Sequence, residues 1–126
     1  MSPATGARRH AREVAFRVAY QADIAGDTYA RAWELRRESE EKLSADQLEL
    51  IDDVVALLES GAARVDESLA EALDERWTVA RLAATDRAVL RVAVAELLAR
   101  PGSPAGAVRT RPPQASAPQK KVSLAF

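Results

Sequence analysis

Residues 8–21 read RRHAREVAFRVAYQ, and the rest of the chain can be interpreted outward from this stretch. Apolar residues recur in and just after it at steps of three and four, the spacing of an amphipathic helix: Ala11, Val14, Ala15, Val18, Ala19 and Ala22. At about 100° per residue, three arginines and two aromatic residues share a neighbouring arc: Arg8, Arg9, Arg12, Phe16 and Tyr20. Guanidinium groups suit phosphate oxygens and aromatic faces suit unstacked bases. The pattern therefore indicates a helix that docks on its own domain and offers an edge to single-stranded nucleic acid; the alternative is a solvated basic turn on an ordinary core helix.

The composition predicts an all-α protein of one domain or two small sub-bundles. The chain has 126 residues, of which 48% are hydrophobic and only 5% aromatic, so small aliphatic side chains must form the core. Such a mixture favours closely packed helices, and no run alternates with the period of a strand. The absence of cysteine excludes disulfides and fits a reducing compartment. Since no signal peptide or membrane-length apolar run is evident, we expect a cytoplasmic protein.

Charge is distributed unevenly along the chain. The formal net charge is −1, but residues 1–25 carry +2 and residues 100–126 carry +5, which leaves −8 for the residues between them. An acidic body repels phosphate, so any binding of a polyanion must be local to one of the basic ends.

Capping residues locate the first helices. We predict a disordered lead-in over residues 1–6, a helix over residues 7–25, and a second helix that begins after Thr28. Ser44 and Gln47 have the spacing of a capping box at the start of a third helix.

This third helix is expected to continue to about Asp74, with Gly61 marking a bend. Thr78 can cap a short turn, and Thr85 can cap a final helix that carries Asp86 in its first turn, where a carboxylate suits the helix dipole.

The final helix should end at Pro101. Its predicted core stripe is apolar: Val89, Leu90, Ala93, Val94, Leu97 and Leu98. Arg87 and Arg91 are placed on its outer side. Five of the six prolines fall within residues 101–126, which we predict to be a disordered basic tail, so the folded domain spans residues 7–100.

The residue inventory argues against catalysis. The chain has one histidine and no cysteine, and no phosphate loop, nucleophile elbow or paired carboxylates with a matched base is present. We therefore expect a protein that is not an enzyme and has no catalytic residues, no metal site and no cofactor.

Two motifs in this order resemble the NusB family of bacterial transcription antitermination factors. The first comprises Arg8–Glu13 (RRHARE) with Tyr20-Gln21, and it is similar to the opening helix of the family. The second comprises Trp77–Leu82 (WTVARL) and Thr85–Leu97 (TDRAVLRVAVAEL), and it is similar to the central family motif. The resemblance covers roughly residues 7–101. It implies an all-helical fold of two small bundles that share a long central helix.

The resemblance also implies a function. NusB proteins bind the boxA element of ribosomal RNA leader transcripts together with NusE, a small-subunit ribosomal protein, and act with other Nus factors on RNA polymerase. Matched by motif, RNA contacts would come from Arg8, Arg9 and Arg12, and the nearby Tyr20 is a fourth candidate RNA-binding residue. Asp86 would lie near the RNA and the NusE surface.

The C-terminal part of the family pattern is missing, including its last helices. We hypothesise that the coding sequence leaves its reading frame near residue 105; translation of the genomic DNA in the other two frames would test this. The missing helices normally cover the stripe of the final helix. Exposing about five such side chains should forfeit on the order of 5 kcal/mol, so we expect a marginally stable, aggregation-prone second half that binds its partners weakly.

Two other interpretations remain open. The chain could be a NusB-like domain detached from an RNA cytosine methyltransferase, in which case the tail is an interdomain linker. It could also be a helical protein-interaction module that does not bind RNA.

Overall fold

The structure, a computed structural model, describes residues 3–40 and 42–101, with side chains from Gly6 onward. These ranges contain α-helices and a single 3-10 turn but no strand, which confirms the all-α prediction. The elements are α1 (Pro3–Ala25), α2 (Tyr29–Arg37), α3 (Ala45–Ser60), α4 (Ala62–Ala72), the 3-10 turn (Val79–Arg81) and α5 (Ala84–Ala99). No helix in the described ranges is long and apolar enough to cross a membrane.

The other helices pack around α1. Its predicted apolar face is buried throughout: Ala11, Val14, Ala15, Val18, Ala19 and Ala22. Because most of these side chains are alanine methyl groups, α5, α3 and α2 can all approach α1 closely. The helix begins at Pro3 rather than near Ala7, since proline is tolerated in a first helical turn.

Parts of two predicted segments lie outside the residues that the structure describes. Met1 and Ser2, at the start of the predicted lead-in, are outside the described residues. So is the predicted disordered tail over residues 101–126, except for Pro101.

Local hydrogen bonds confirm three of the predicted caps, those of Thr28, Ser44 and Thr78. The hydroxyl of Thr28 accepts from the amide of Arg31 at 3.0 Å. In the capping box, the Ser44 amide donates to Gln47 Oε1 at 2.8 Å and the Gln47 amide donates to Ser44 Oγ at 3.1 Å. Thr78 Oγ1 accepts from the Arg81 amide at 3.2 Å and caps the 3-10 turn. Each of these caps satisfies an amide that would otherwise lack an intrahelical partner.

The predicted long third helix is wrong, because the chain breaks at Gly61 into α3 and α4. Gly61 ends α3 by donating to the carbonyl of Leu57 at 2.7 Å, and its own carbonyl accepts from Val65 as α4 begins. A Cβ atom at this position would lie 3.1 Å from the Leu57 carbonyl oxygen and from a Leu57 methyl carbon. Glycine therefore permits a tight junction here rather than a gentle bend. α4 ends at Ala72, close to the predicted end at Asp74.

The predicted cap and core stripe of α5 are also wrong. Ala83 occupies the N-cap position without a side-chain cap, and Thr85 lies inside the first turn. The buried residues are Ala88, Val92, Ala95 and Glu96; of the predicted stripe, Val94 and Leu98 pack partly buried against the core, whereas Val89 is 52% exposed. Small residues on that face let α5 lie against both α1 and α3. The larger side chains of the predicted stripe are left half-buried or exposed.

The described helices form a larger and a smaller group. The larger core joins α1, α2, α3 and the buried face of α5, and Val65 of α4 also belongs to it. The smaller group consists of α4 and the 3-10 turn, packed on α5; its buried Leu69 and Leu73 lie outside the main core cluster.

Candidate nucleic-acid interface

The two ends of α1 lie against opposite ends of α5. Arg12, in the first half of α1, pairs with Glu96 near the end of α5, and Asp23, near the end of α1, pairs with Arg87 near the start of α5. The two helices are therefore antiparallel. At a rise of 1.5 Å per residue, Arg8 and Asp23 are separated by roughly 22 Å along α1, so the predicted site residues are distributed along the whole pair.

Arg8 and Arg9 lie in the first turns of α1 and are exposed. Within the described part of the chain, neither guanidinium group has an ion pair or a hydrogen bond. They are consequently available to an external anion, and their forked donors match the geometry of phosphate oxygens.

Arg12 differs from these two arginines because it is held by a buried carboxylate. Its Nε and Nη2 donate to Glu96 Oε1 and Oε2, both at 2.8 Å. Glu96 is only 3% exposed, and the hydrogen bond to it raises the pKa of the Arg12 guanidinium above its usual value. The positive charge of Arg12 is thus largely neutralised within the protein, and only part of its side chain faces solvent.

Tyr20 continues the row of α1 that carries Arg8, Arg12 and Phe16 at four-residue steps. The Phe16 and Tyr20 rings stack with centroids 6.0 Å apart and an interplanar angle of 25°. Phe16 is half-buried against the core, whereas Tyr20 is 37% exposed. The pair therefore forms a supported aromatic surface of the kind on which a base or an apolar side chain can pack.

Asp86 lies at the opposite end of the molecule from Arg8 and Arg9. It is exposed in the first turn of α5, in the wall of a groove of about 640 Å3 whose lining is largely apolar. The groove also contains Trp77 and Val89, and the Arg81 guanidinium lies 5.2 Å from the centre of the Trp77 ring. The structure thus brings Asp86 together with exposed apolar groups but not with the basic turn of α1.

Arg87 joins the two helical groups. It was predicted to lie on the outer side of α5, but it is mostly buried. Its Nη2 donates to Asp23 Oδ2 at 2.8 Å, and its Nη1 donates to the carbonyls of Val79 and Leu82 at 3.2 and 2.9 Å. One side chain therefore ties the end of α1 and the 3-10 turn to α5.

Arg91, also predicted to be outside, is similarly buried. Its Nε and Nη2 bind the two carboxylate oxygens of Asp66 on α4, both at 2.9 Å. Its Nη1 donates to the Tyr29 hydroxyl at 3.4 Å. Sequence reasoning missed these partners, and it also missed Glu96. The available indication was a single acidic residue within the apolar part of α5, since a buried charge requires a partner.

Comparison with known proteins gives consistent matches. A sequence profile of the NusB family matches residues 9–110. The transcription antitermination protein NusB of Anaeromyxobacter dehalogenans is 36% identical over 98 residues, which cover 75% of this chain and 66% of that protein. The protein of the same name from Deinococcus deserti is 38% identical over 100 residues, with 74% and 59% covered. The one from a Geobacter species is 36% identical over 108 residues, with 77% and 71% covered.

The chain spans slightly less than two thirds of the length of the Anaeromyxobacter protein. No solved structure matches the chain.

Proposed function

The chain belongs to the NusB family, and on that premise we propose that it is a transcription antitermination factor that binds boxA RNA together with NusE. The observation that carries this proposal is the pair of free guanidinium groups of Arg8 and Arg9 on α1. The opposite face of α1 is fixed in the core, so these groups are presented from a rigid support. Binding alone accounts for the activity, and we assign no catalytic role to any residue.

Electrostatics favours the basic turn of α1 over other surfaces. Residues 26–99 carry a net charge of −8, which disfavours RNA over most of the body. Arg8 and Arg9 form no ion pair in the described structure, and the stacked Phe16 and Tyr20 rings follow on the same helix. A basic turn next to an aromatic surface suits single-stranded RNA, where phosphates and unstacked bases are both accessible. Arg12 would contribute through its exposed edge, while its main partner remains Glu96.

The proposed NusE surface lies nearer the other end of α1. Val89 is exposed, and so is Tyr20, which we place at the boundary between the RNA surface and the NusE surface. The pairing of Asp23 with Arg87 places the halves of α1 and α5 that carry these two residues side by side. Asp86 supplies a negative charge at the edge of this apolar area. A protein partner that buries apolar surface and supplies a cation fits this combination better than RNA. Because such a factor acts beside RNA polymerase, we place it in the cytoplasm.

The RNA proposal is tested by fluorescence anisotropy with a boxA-containing RNA and a scrambled control. Arg8→Ala and Arg9→Ala should each weaken binding about tenfold, as expected for loss of a charge-assisted contact. Arg64→Ala, which removes an exposed arginine on α4, is the matched control and should bind like the wild type. Equal affinity for the two RNAs, or no effect of either α1 variant, would contradict the proposal.

The NusE proposal requires a separate measurement without RNA. Titration of purified NusE by calorimetry should show weaker binding to Tyr20→Ala and to Asp86→Asn, by about fivefold to tenfold each. Arg64→Ala again serves as the control. Unchanged NusE affinity in both variants would remove Tyr20 and Asp86 from the interface while leaving the RNA proposal intact.

A second candidate function is a protein-interaction module that does not bind RNA. The observation that favours it is the apolar groove beside Asp86, where Trp77 is 47% exposed. The anisotropy experiment separates the two functions, because a pure interaction module would bind neither RNA.

A further inference from the structure

A small cavity of about 220 Å3 lies where the first turns of α1 and α3 meet the last turn of α5. Its apolar lining includes Ala11 and Leu50, both of which belong to the buried core. Three charged side chains from three different helix ends also line it: Arg8, Asp46 and Arg100. The cavity is smaller than the roughly 300–1,000 Å3 of pockets for drug-sized ligands, so it suits a single group of modest size.

The rim of this cavity is fixed by Gln47. Its Oε1 accepts from the Ser44 amide at 2.8 Å, and its Nε2 donates to the Ala7 carbonyl on α1 at 3.0 Å. This amide therefore connects α1 to α3, and its oxygen and its nitrogen each have a partner. The principal groups left for a ligand are the charged side chains.

These charged groups are available to different degrees. Within the described residues, Arg8 and Asp46 have no ion pair and no side-chain hydrogen bond. The Nε of Arg100 lies 3.7 Å from Asp53 Oδ2, a distance that leaves its remaining donors free. The cavity thus presents donors from two guanidinium groups and acceptors from one carboxylate.

The charge balance argues against a phosphate in the cavity. Inside the cavity, the Asp46 carboxylate, which is not paired with Arg8, and the Asp53 carboxylate beside Arg100 both reduce the attraction of an anion, whereas the outer side of Arg8 remains open to a phosphate. A neutral ligand with both donors and acceptors on its edges matches this lining better.

We propose that this cavity binds a single guanine base of the RNA, an inference that rests on the proposed RNA-binding function. Guanine offers O6 and N7 as adjacent acceptors for a guanidinium fork, and its Watson–Crick edge offers two N–H donors to a carboxylate. Arg8 or Arg100 binds the first edge and Asp46 binds the second. RNA recognition commonly uses such edges of unstacked bases. Asp46 thereby determines specificity rather than overall charge attraction.

The test measures RNA affinity of Asp46→Asn by anisotropy, using the boxA RNA and versions in which each guanine in turn is replaced by inosine, which lacks the 2-amino group. Wild type should lose about fivefold in affinity at one inosine position. Asp46→Asn should lose about tenfold for the unmodified RNA and should show no further loss at that position. Glu49→Gln, an equal change of charge at an exposed site on α3, should bind no more weakly than wild type.

The sign of the Asp46→Asn effect decides the outcome. Equal or tighter binding of this variant to all the RNAs would mean that the carboxylate repels phosphate, and this would overturn the inference. Unchanged affinity of the wild type for every inosine-substituted RNA would also overturn the inference. Either result leaves the RNA proposal standing if the wild type still prefers boxA over the scrambled RNA, whereas failure of the wild type to bind RNA defeats both.

Discussion

Where α1 begins, Arg8 and Arg9 are exposed and have no partner among the described residues; where α1 ends, Arg87 and Arg91 are buried against Asp23 and Asp66. The same residue type therefore has two roles at the two ends of one helix pair. Arginines that lie between helices are neutralised by carboxylates and hold the helices together. Arg8 and Arg9, in the first turns of α1, form no ion pair within the described residues, so their charges remain available to a ligand.

Arg12 lies between these two groups in sequence and in role. It belongs to the basic motif, yet its guanidinium group is bound to the buried Glu96 in the same bidentate manner as Arg91 is bound to Asp66. Loss of RNA binding on removal of Arg12 would therefore not show that Arg12 contacts RNA. The stability and the RNA affinity of Arg12 variants therefore have to be measured together.

The largest expected effect is that of Arg12→Ala on folding. This change leaves the Glu96 carboxylate buried without its partner, and breaking a buried pair in this way costs about 3 kcal/mol or more in the free energy of unfolding. Urea denaturation followed by tryptophan fluorescence would measure it, since Trp33 is buried in the core. The double variant Arg12→Met, Glu96→Met should recover most of the loss. A destabilisation below about 1 kcal/mol in Arg12→Ala would place Arg12 with the free arginines instead.

Arg87→Ala should have the next largest effect. It removes the pair with Asp23 and the hydrogen bonds to the carbonyls of the 3-10 turn, for an expected loss of about 2 kcal/mol. The smaller helical group should unfold first. In variants that keep only one tryptophan, the fluorescence emission of Trp77 should therefore shift at a lower urea concentration than that of Trp33. The control Arg64→Ala should change stability by less than about 0.5 kcal/mol. Coincident transitions of the two tryptophans in Arg87→Ala would show that Arg87 does not join separate groups.

Local patterns in the sequence predicted some features of the fold, whereas features that depend on packing between helices could not be predicted. The buried face of α1 and the caps at Thr28, Ser44 and Thr78 depend on neighbouring residues, and the structure confirms them. The face of α5 was assigned wrongly because nearly all of its uncharged positions are apolar, so its pattern fits more than one orientation. Which face is buried depends on the fit against α1 and α3.

The ion pairs could not be predicted for a related reason. Arg12 and Glu96 are 84 positions apart, and Asp23 and Arg87 are 64 apart, so no local period relates them. For the same reason Arg87 and Arg91 were placed on the outer side of α5. The binding roles assigned to the candidate site residues stay predictions: Arg8, Arg9, Arg12, Tyr20 and Asp86.

A smaller effect is expected from the hydroxyl of Tyr29, which lies beside Arg91 in the buried network. Burial raises the pKa of this phenol above its usual value of 10.0, and the nearby Asp66 and Asp23 act in the same direction, while Arg91 opposes them. Because the folded state holds the proton more tightly, this contribution to stability is present below about pH 10 and is lost as the pH rises through the folded pKa. Stability should therefore fall less steeply between pH 9 and about 11 in Tyr29→Phe than in the wild type. If the free energy of unfolding fell equally with pH in the two proteins, Tyr29 would be excluded as the source of this pH dependence.

The smallest effect on folding, and the sharpest test of the comparison, is that of Arg9→Ala. An exposed arginine without a partner should contribute less than about 0.5 kcal/mol to the free energy of unfolding, in contrast to Arg12. If Arg9 contacts a phosphate, its removal should reduce the slope of log affinity against log salt concentration by about 0.7, the value for one single-strand phosphate contact. Arg64→Ala should leave this slope unchanged. A variant of Arg9 that kept the wild-type slope would mean that an unpaired arginine in the first turns of α1 is simply solvated, and the difference between the two ends of α1 would then be one of stability alone.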